Sequence, residues 1–284
     1  MAIQIDFLRS LDRLQIILKK KIYADKQGGH ESSNFGEGLV FQDYKAYTPG
    51  DDFRNIDWKV YARTDKFYIR RYEEERNMTV HILVDSSASM DFGSEKHTKF
   101  EYAAEVGLGF AYMAYRNNER FLMSTFTDRV HRVQPGKGRN QLMELFEVFS
   151  KHKVVGKSDF RQSMNEYKKN ITSKSMIVLI SDFLFDLDDV REILSRYKKS
   201  DVYVVQVLDR EEKNLSITGD LILEDAETDS RMRTFVSHRM KKNYQDKLET
   251  HILELKDICE ENDASFISVS SNTPIFETFY HMLK

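Results

Sequence analysis

Two short apolar runs, each followed by an aspartate, constrain the fold of this chain more than any other feature. Residues 79–84 read Thr-Val-His-Ile-Leu-Val and end at Asp85, and the run at residues 176–180 is followed closely by Asp182. Apolar runs without polar alternation are typical of strands that are buried on both faces of a sheet. A helical pattern at residues 99–116 follows the first run. The chain is therefore predicted to build a sheet from buried strands that helices connect.

The remaining segments continue this alternation. Further strands are predicted at residues 121–126, 129–133, 202–207 and 266–269, and further helices at residues 141–149, 159–169, 188–197 and from about residue 244. Strands that alternate with helices pair in parallel through right-handed crossovers. We therefore expect a doubly wound, mostly parallel α/β sheet with helices on both faces. Residues 221–224 and 231–236 flank a polar turn and break the alternation, so a β-hairpin insertion is predicted at about residues 215–238.

The N-terminal part is predicted to be a separate small module at residues 1–77, followed by the α/β domain at residues 78–284. Residues 1–21 carry apolar side chains at helical spacing with charges between them, which predicts an amphipathic helix. Docking of this helix onto the domain is favoured over a position on a membrane surface, because its basic residues cluster only at residues 19–21. Two strands at residues 39–47 and 67–72 complete the module, with a helix between them.

Composition narrows the class of partner and the compartment. The chain has 43 Lys and Arg against 46 Asp and Glu, so no basic excess points to nucleic acid. Its single cysteine, Cys259, excludes an internal disulfide framework and suits a reducing compartment. No stretch approaches the roughly 18 apolar residues that a membrane helix needs. These features predict a cytoplasmic protein with no membrane span and no nucleic-acid partner.

The loop after the first apolar run has the composition of a cation site. Alternate residues of an extended turn point the same way, so Asp85, Ser87 and Ser89 are able to face one centre. Asp182 follows a second buried strand, and ligands of such sheets bind beyond the carboxyl ends of the strands. Hydroxyl and carboxylate oxygens suit Mg²⁺ or Mn²⁺. The plainer alternative is that Asp85 and the serines only cap the next helix.

Longer motifs connect the chain to a known family. Residues 47–63 read Tyr-Thr-Pro-Gly-Asp-Asp-Phe-Arg-Asn-Ile-Asp-Trp-Lys-Val-Tyr-Ala-Arg. Together with residues 83–93, 180–183 and 224–228, this stretch resembles the bacterial uncharacterised-domain family fifty-eight, which belongs to the von Willebrand factor A-like superfamily. The resemblance extends over nearly the whole chain from about Gly36. It implies a sheet of the von Willebrand factor A type.

The resemblance also implies a metal-ion-dependent adhesion site. Its implied ligands are Asp85, Ser87, Ser89, Ser158 and Asp182. Ser158 stands where the superfamily has a threonine, and it keeps the hydroxyl group while losing only a methyl group. The implied ion is Mg²⁺, with Mn²⁺ or Ca²⁺ as alternatives. An open coordination position would accept an Asp or Glu carboxylate from a partner protein.

The function implied is that of a non-enzymatic, divalent-cation-dependent protein-interaction module. Members of the family are commonly found with MoxR-type AAA+ ATPases, so an adaptor role for such a chaperone-like ATPase is expected. A magnesium-dependent phosphohydrolase of the haloacid dehalogenase type is the alternative, but it needs a second aspartate two residues after Asp85 as general acid and base. Ser87 occupies that position. A metal-free structural scaffold is the third possibility.

A dense group of charges surrounds the single tryptophan. The group consists of Asp51, Asp52, Arg54, Asp57, Trp58, Lys59 and Arg63. The favoured interpretation is a structural clasp between the N-terminal module and the sheet, with Trp58 buried and the charges paired. The alternative is a docking surface in which Arg54, Trp58 and Arg63 contact a partner, because Trp and Arg are enriched at binding hot spots.

Overall fold

The structure is a computed structural model that describes a defined part of the chain. The described residues are Leu11, 39–74, 78–95, 97–133, 138–216, 219–224 and 231–282. The chain divides into two compact units. The smaller unit is Lys20–Asn77, and the larger unit combines Met1–Lys19 with Met78–Lys284.

The smaller unit contains an antiparallel strand pair with a helix between its strands. Strand β1 (Leu39–Ala46) pairs with β2 (Tyr68–Glu74), and helix α1 (Trp58–Thr64) lies between them in the chain. Asp57 starts α1, since its carboxylate accepts hydrogen bonds from two backbone N–H groups of the first turn. The strand–helix–strand order predicted from the sequence is confirmed here.

The larger unit is built on a six-stranded sheet, which we call the main sheet. Its strands are β3 (Thr79–Asp85), β4 (Arg120–Phe126), β5 (Val130–Arg132), β6 (Ser175–Ser181), β7 (Asp201–Leu208) and β10 (Ser265–Ser270). They lie in the order β10-β7-β6-β3-β4-β5. All neighbouring pairs are parallel except β4 and β5, which form an antiparallel pair. The prediction of a mostly parallel α/β sheet is confirmed.

Helices connect the strands of the larger unit and cover the main sheet. They are α2 (Lys99–Arg116), α3 (Gly138–Ser150), α4 (Phe160–Tyr167), α5 (Leu187–Arg196), α6 (Arg210–Asn214), α7 (His238–Glu261) and α8 (Ile275–Met282). The predicted hairpin is also present, with β8 (Gly219–Glu224) antiparallel to β9 (Arg231–Val236) as a separate two-stranded sheet.

The core consists of two apolar clusters that share the strands of the main sheet. Ile82 belongs to a cluster with side chains of α2, α3 and α8, whereas Leu83 belongs to a cluster with side chains of α4, α5 and α7. Successive residues of a strand point to opposite faces, so these clusters lie on the two sides of the sheet. Strands buried on both faces explain why their sequences are continuous apolar runs.

Several element boundaries differ from the prediction for local reasons. Helix α7 begins at His238 and not near residue 244, because the Ser237 side chain caps it by accepting a hydrogen bond from the Met240 N–H. Its first turn is exposed and carries no apolar periodicity. Helix α5 begins at Leu187 and not at residue 188, because the Asp186 side chain caps it by accepting a hydrogen bond from the Asp188 N–H. Helices α6 and α8 are short and were not predicted.

Leu11 carries the described part of the predicted N-terminal helix. Its side chain is fully buried in the cluster that contains α2 and α8. A Cβ added at Gly109 of α2 would lie 3.2 Å from the Leu11 Cδ1 atom, so the two segments pack closely. The remainder of the predicted helix at residues 1–21 lies outside the described residues. Cys259 is buried in α7.

Candidate functional site

The order of strands creates a crevice at one edge of the main sheet. From β3 the chain moves to β4 on one side, and it later returns to β6 on the other side of β3. Where strand order reverses in this way, the loops after the two neighbouring strands diverge and leave room for a ligand. Asp85 ends β3, and Asp182 follows β6 directly. The topology therefore places both aspartates beside this crevice, at the carboxyl edge of the main sheet.

Asp85 is fully buried and held by hydrogen bonds on both carboxylate oxygens. Its Oδ1 atom accepts from the Ser87 backbone N–H at 2.9 Å, and its Oδ2 atom accepts from the Ser181 hydroxyl at 2.7 Å. Burial, with a smaller contribution from the charge of Asp182, raises the pKa of the Asp85 carboxyl to about 7. The two hydrogen bonds oppose that rise, because they favour the carboxylate.

Asp182 accepts hydrogen bonds from three directions. Its Oδ2 atom accepts from the Ser89 hydroxyl at 2.8 Å and from the Lys99 ammonium at 2.9 Å, while Oδ1 accepts from the Leu184 backbone N–H at 3.3 Å. The next residue, Phe183, has a φ of 51°, in the left-handed region. The hydrogen bond from Ser89 joins Asp182 to residues 85–89, which we call the serine loop.

Lys99 is the residue of this site that the sequence did not reveal. Its side chain is 1% exposed, and its Nζ atom lies 2.9 Å from Asp182 Oδ2 and 2.6 Å from Glu212 Oε1. Burial lowers the pKa of Lys99, but the carboxylates of Asp182 and Glu212 outweigh it, and the pKa is raised. Burial raises the pKa of Glu212, and the neighbouring Lys99 ammonium opposes that rise. Lys99 is therefore a charged ammonium held between two acidic side chains.

One signal in the sequence points to Lys99 in retrospect. It is the first residue of α2, directly after the capping residue Thr98. The positive end of the helix dipole favours acidic residues in the first turn, so a lysine there is unfavourable by itself. Asp182 and Glu212 offset this cost, but they lie 83 and 113 residues further along the chain.

The loop that contains Ser158 lies against the serine loop. The Ala88 N–H donates to the Gly156 carbonyl at 2.8 Å, and the Val155 N–H donates to the Ser86 carbonyl at 3.2 Å. Ser158 itself is half-buried. The structure thus joins Asp85, Ser87, Ser89 and Asp182 in one group, through hydrogen bonds and the neighbouring strands, and places the loop of Ser158 beside it.

The arrangement of these side chains does not fit a bound divalent ion. Mg²⁺ needs oxygen lone pairs at about 2.0–2.1 Å. The Asp182 Oδ2 atom accepts from both the Ser89 hydroxyl and the Lys99 ammonium, which uses its two lone pairs, and the ammonium lies 2.9 Å from this oxygen. In the described part of the chain, no three His, Cys, Asp or Glu side chains are grouped so as to hold a metal ion. Metal binding by the five predicted ligands stays a prediction, and this geometry argues against it.

Three residues with exposed apolar side chains are joined to the site through their backbones, and we call them the apolar rim. Phe92, Val155 and Leu184 are 46%, 65% and 47% exposed. The Phe92 carbonyl accepts a hydrogen bond from the Lys99 backbone N–H. The Val155 backbone N–H donates to the serine loop, and the Leu184 backbone N–H donates to the Asp182 carboxylate. Each rim residue therefore belongs to a different loop around the Ser89–Asp182 pair.

The tryptophan cluster of the smaller unit differs from the predicted clasp. Trp58 is 59% exposed, and not buried, with its ring edge-on to Tyr61 and Phe67. Arg54 pairs with Asp52 at 2.7 Å, and Lys45 pairs with Asp51 at 3.0 Å, so these charges have partners close in sequence. The prediction that Trp58 is buried was therefore wrong. Participation of Arg54, Trp58 and Arg63 in partner binding stays a prediction.

The fold and the site define an α/β domain with a serine- and aspartate-rich crevice at the carboxyl edge of its main sheet. The family model described as "Protein of unknown function DUF58" matches residues 43–253, so the chain belongs to this family. It is 26% identical over 223 residues to "Uncharacterized protein Mb1516" of Mycobacterium bovis and to "Uncharacterized protein Rv1480" of Mycobacterium tuberculosis. Each alignment covers 77% of this chain and 70% of the relative.

Solved structures with a similar arrangement come from other bacteria. The conserved hypothetical protein BatB of Bacteroides thetaiotaomicron has a TM-score of 0.48 at 12% identity, covering 72% of this chain and 97% of that protein. An aerotolerance-related membrane protein of Bacteroides fragilis has a TM-score of 0.48 at 14% identity, covering 72% and 98%. An uncharacterized membrane spanning protein of Vibrio fischeri has a TM-score of 0.26 at 14% identity, covering 72% and 96%.

These neighbours correct two expectations about location. Two of the three are membrane proteins by name, which contradicts the predicted cytoplasmic location and the predicted lack of a membrane span. We withdraw both expectations. The membrane description is that of the neighbours and is not carried over to this chain. Within the described residues, no helix has the length and apolar character needed to cross a membrane.

Proposed function

We propose that this protein is a non-enzymatic protein-interaction module, and that its partner docks on the carboxyl edge of the main sheet. The observation that carries the proposal is the apolar rim of Phe92, Val155 and Leu184. Exposed apolar side chains grouped around a polar centre are typical of protein-binding surfaces. The half-buried Ser89 hydroxyl, which donates to Asp182, supplies a polar group beside this rim that would give such a contact specificity.

The proposal also covers the type of sheet and the identity of the partner protein. We infer a sheet of the von Willebrand factor A type, since the serine loop follows the first strand of the main sheet and the second aspartate follows its neighbour. The partner proposed is a MoxR-type AAA+ ATPase, for which the protein acts as an adaptor. Support for this partner comes from the family motifs at residues 47–63 and 83–93.

The phosphohydrolase alternative receives no support from the geometry. A nucleophilic aspartate must reach its substrate, whereas Asp85 is fully buried and both of its oxygens accept hydrogen bonds. Ser87 stands where a general acid would be needed, and its backbone N–H is bonded to Asp85.

Direct binding to a purified MoxR-type ATPase of the same organism tests the proposal. Leu184→Asp places a charge within the apolar rim and is expected to weaken binding at least about tenfold, because hot-spot changes cost about 2 kcal/mol or more. Leu253→Asp is the matched control, because Leu253 is 55% exposed on α7, outside the rim. Biolayer interferometry gives the Kd of each variant, and thermal unfolding shows that both are folded.

Two outcomes would contradict the proposal. If the wild-type protein does not bind the ATPase, the adaptor role is wrong. If Leu184→Asp binds as tightly as Leu253→Asp, docking on the apolar rim is wrong even though the partner is right.

A further inference from the structure

A lysine ammonium contacts Asp182, one of the five residues that the family resemblance assigns to a metal ion. The Lys99 Nζ atom lies between a carboxylate of the serine–aspartate crevice and a carboxylate of α6, at 2.9 Å from Asp182 and 2.6 Å from Glu212. Both distances are those of charge-assisted hydrogen bonds. The Asp182 Oδ2 atom that binds Lys99 is the same atom that accepts from the Ser89 hydroxyl.

We propose that Lys99 is the built-in cation of this site, which is therefore complete without a divalent ion. The charge comes from the chain itself, since Lys99 is the first residue of α2 and its stem is buried along with its head. Each acidic side chain that it contacts belongs to a different element, so the ammonium joins α2, the end of β6 and α6. This inference concerns the charge of the site and is independent of the proposed partner.

The burial of the lysine is what makes a metal ion redundant. A buried carboxylate needs a counter-charge, and for Asp182 and Glu212 the Lys99 ammonium supplies it. A second cation bound to Asp182 would lie within a few ångströms of the ammonium, where like charges repel strongly in a medium of low dielectric constant. An ion could enter only if Lys99 left Asp182.

A tethered ammonium also differs from a bound ion in its consequences. It cannot dissociate and cannot be extracted by a chelator, so the site has the same charge at every concentration of free Mg²⁺. The ammonium donates hydrogen bonds and offers no open coordination position, so a partner carboxylate cannot complete its shell as it would for a metal. For the docking proposed above, contacts at this edge would come from the half-buried Ser89 hydroxyl and the apolar rim.

Thermal unfolding with and without divalent ions tests the proposal. We expect the Tm of the wild-type protein to be equal in EDTA and in excess MgCl₂ or MnCl₂. Lys99→Met removes the built-in charge and leaves Asp182 and Glu212 without a counter-charge. An added Mg²⁺ or Mn²⁺ ion should then bind there, so the Tm of this variant should rise with either ion. In Lys99→Met/Asp182→Asn this response should disappear. Lys99→Arg should remain unresponsive like the wild type.

Lys213→Met is the matched control for the loss of a lysine. Lys213 is a half-buried residue of α6 directly after Glu212, and its removal leaves Lys99 in place. Its Tm should not respond to either ion. A response like that of Lys99→Met would contradict the proposal, because any lost positive charge nearby would then suffice.

Binding of Mn²⁺, followed by the electron paramagnetic resonance signal of the free ion, provides a second measurement that does not require a variant to fold. Wild-type protein that leaves the Mn²⁺ signal unchanged supports the built-in cation. Stoichiometric uptake by the wild type, lost in Asp182→Asn, would overturn it. A folded Lys99→Met variant whose Tm ignores both ions would overturn it as well. Since neither experiment contains the ATPase, their results are separate from those on the adaptor role.

Discussion

Two regions of this protein contain paired charges, but the pair in one region is buried and the pair in the other is exposed. At the carboxyl edge of the main sheet, Lys99 and Asp182 pair while almost completely buried. In residues 47–63 of the smaller unit, which we call the signature segment, Arg54 and Asp52 pair in solvent and lie two residues apart in sequence. Pairing is essential for buried charges, because an unpaired one keeps the full cost of leaving water. For exposed charges, water replaces a lost partner.

The same contrast holds for the large side chains of the two regions. In the smaller unit, the rings of Tyr61 and Phe67 stack at 4.5 Å with Trp58 exposed beside them. At the main sheet, Phe183 is fully buried between Phe160 and Phe185. A motif that is rich in charge and aromatic residues is therefore no guide to burial by itself.

The largest expected effect comes from breaking the buried pair. Lys99→Met should lower the free energy of unfolding by about 3–5 kcal/mol, because it leaves Asp182 and Glu212 without their shared counter-charge. Lys59→Met, at an exposed lysine of α1, is the control and should stay within about 0.5 kcal/mol of the wild type. Urea denaturation in EDTA measures both. A Lys99 variant as stable as the Lys59 variant would remove the distinction between the two regions.

His81 shows the other way of burying a titratable group, which is to keep it neutral. Burial lowers the pKa of His81 to about 4, and its Nδ1 atom lies 2.9 Å from the Tyr167 hydroxyl. Because the folded pKa lies below the ordinary value of 6.5, His81 stabilises the fold above pH 6.5, and this contribution is lost as the pH falls toward 4. The full contribution is about 3 kcal/mol.

Substitution of His81 is expected to make the free energy of unfolding depend less on pH between about pH 7 and about pH 4. The free energy of unfolding of His81→Gln should fall less between about pH 7 and about pH 4 than that of the wild type, by up to about 3 kcal/mol. His238→Gln is a suitable control, since His238 is exposed at the start of α7. Chemical denaturation at each pH measures the difference. Identical pH profiles for the wild type and His81→Gln would show that His81 is not held neutral.

The smallest effect is expected in the signature segment. Arg54→Ala removes an exposed ion pair, and solvent takes over the hydrogen bonds of Asp52. Its Tm should match that of the wild type at low and at high salt. A clear loss of stability would mean that the exposed charges of the smaller unit stabilise its structure. The exposed and the buried ion pair would then differ only in how much stability each contributes.

Much of the fold was predictable, because it depends on local patterns. The runs at residues 79–84 and 176–180 are strands, and α2 has the bounds that its apolar periodicity indicates. The spacing of apolar residues within one helix or strand indicates which of its faces is buried, so the pattern can be found within a short stretch of sequence. Where an element is exposed, as in the first turn of α7, the pattern is silent and the predicted boundary was wrong.

The sequence alone therefore determined the alternation of strands and helices, and the meeting of Asp85 and Asp182 at one edge of the sheet. Only the tertiary structure decided what lies beside those aspartates. Lys99 reaches Asp182 and Glu212 across 83 and 113 residues, and no local pattern encodes which distant side chain will supply a counter-charge. The physical reason is that a buried charge is stabilised by whatever the fold brings within a few ångströms, and that proximity exists only once the sheet has formed.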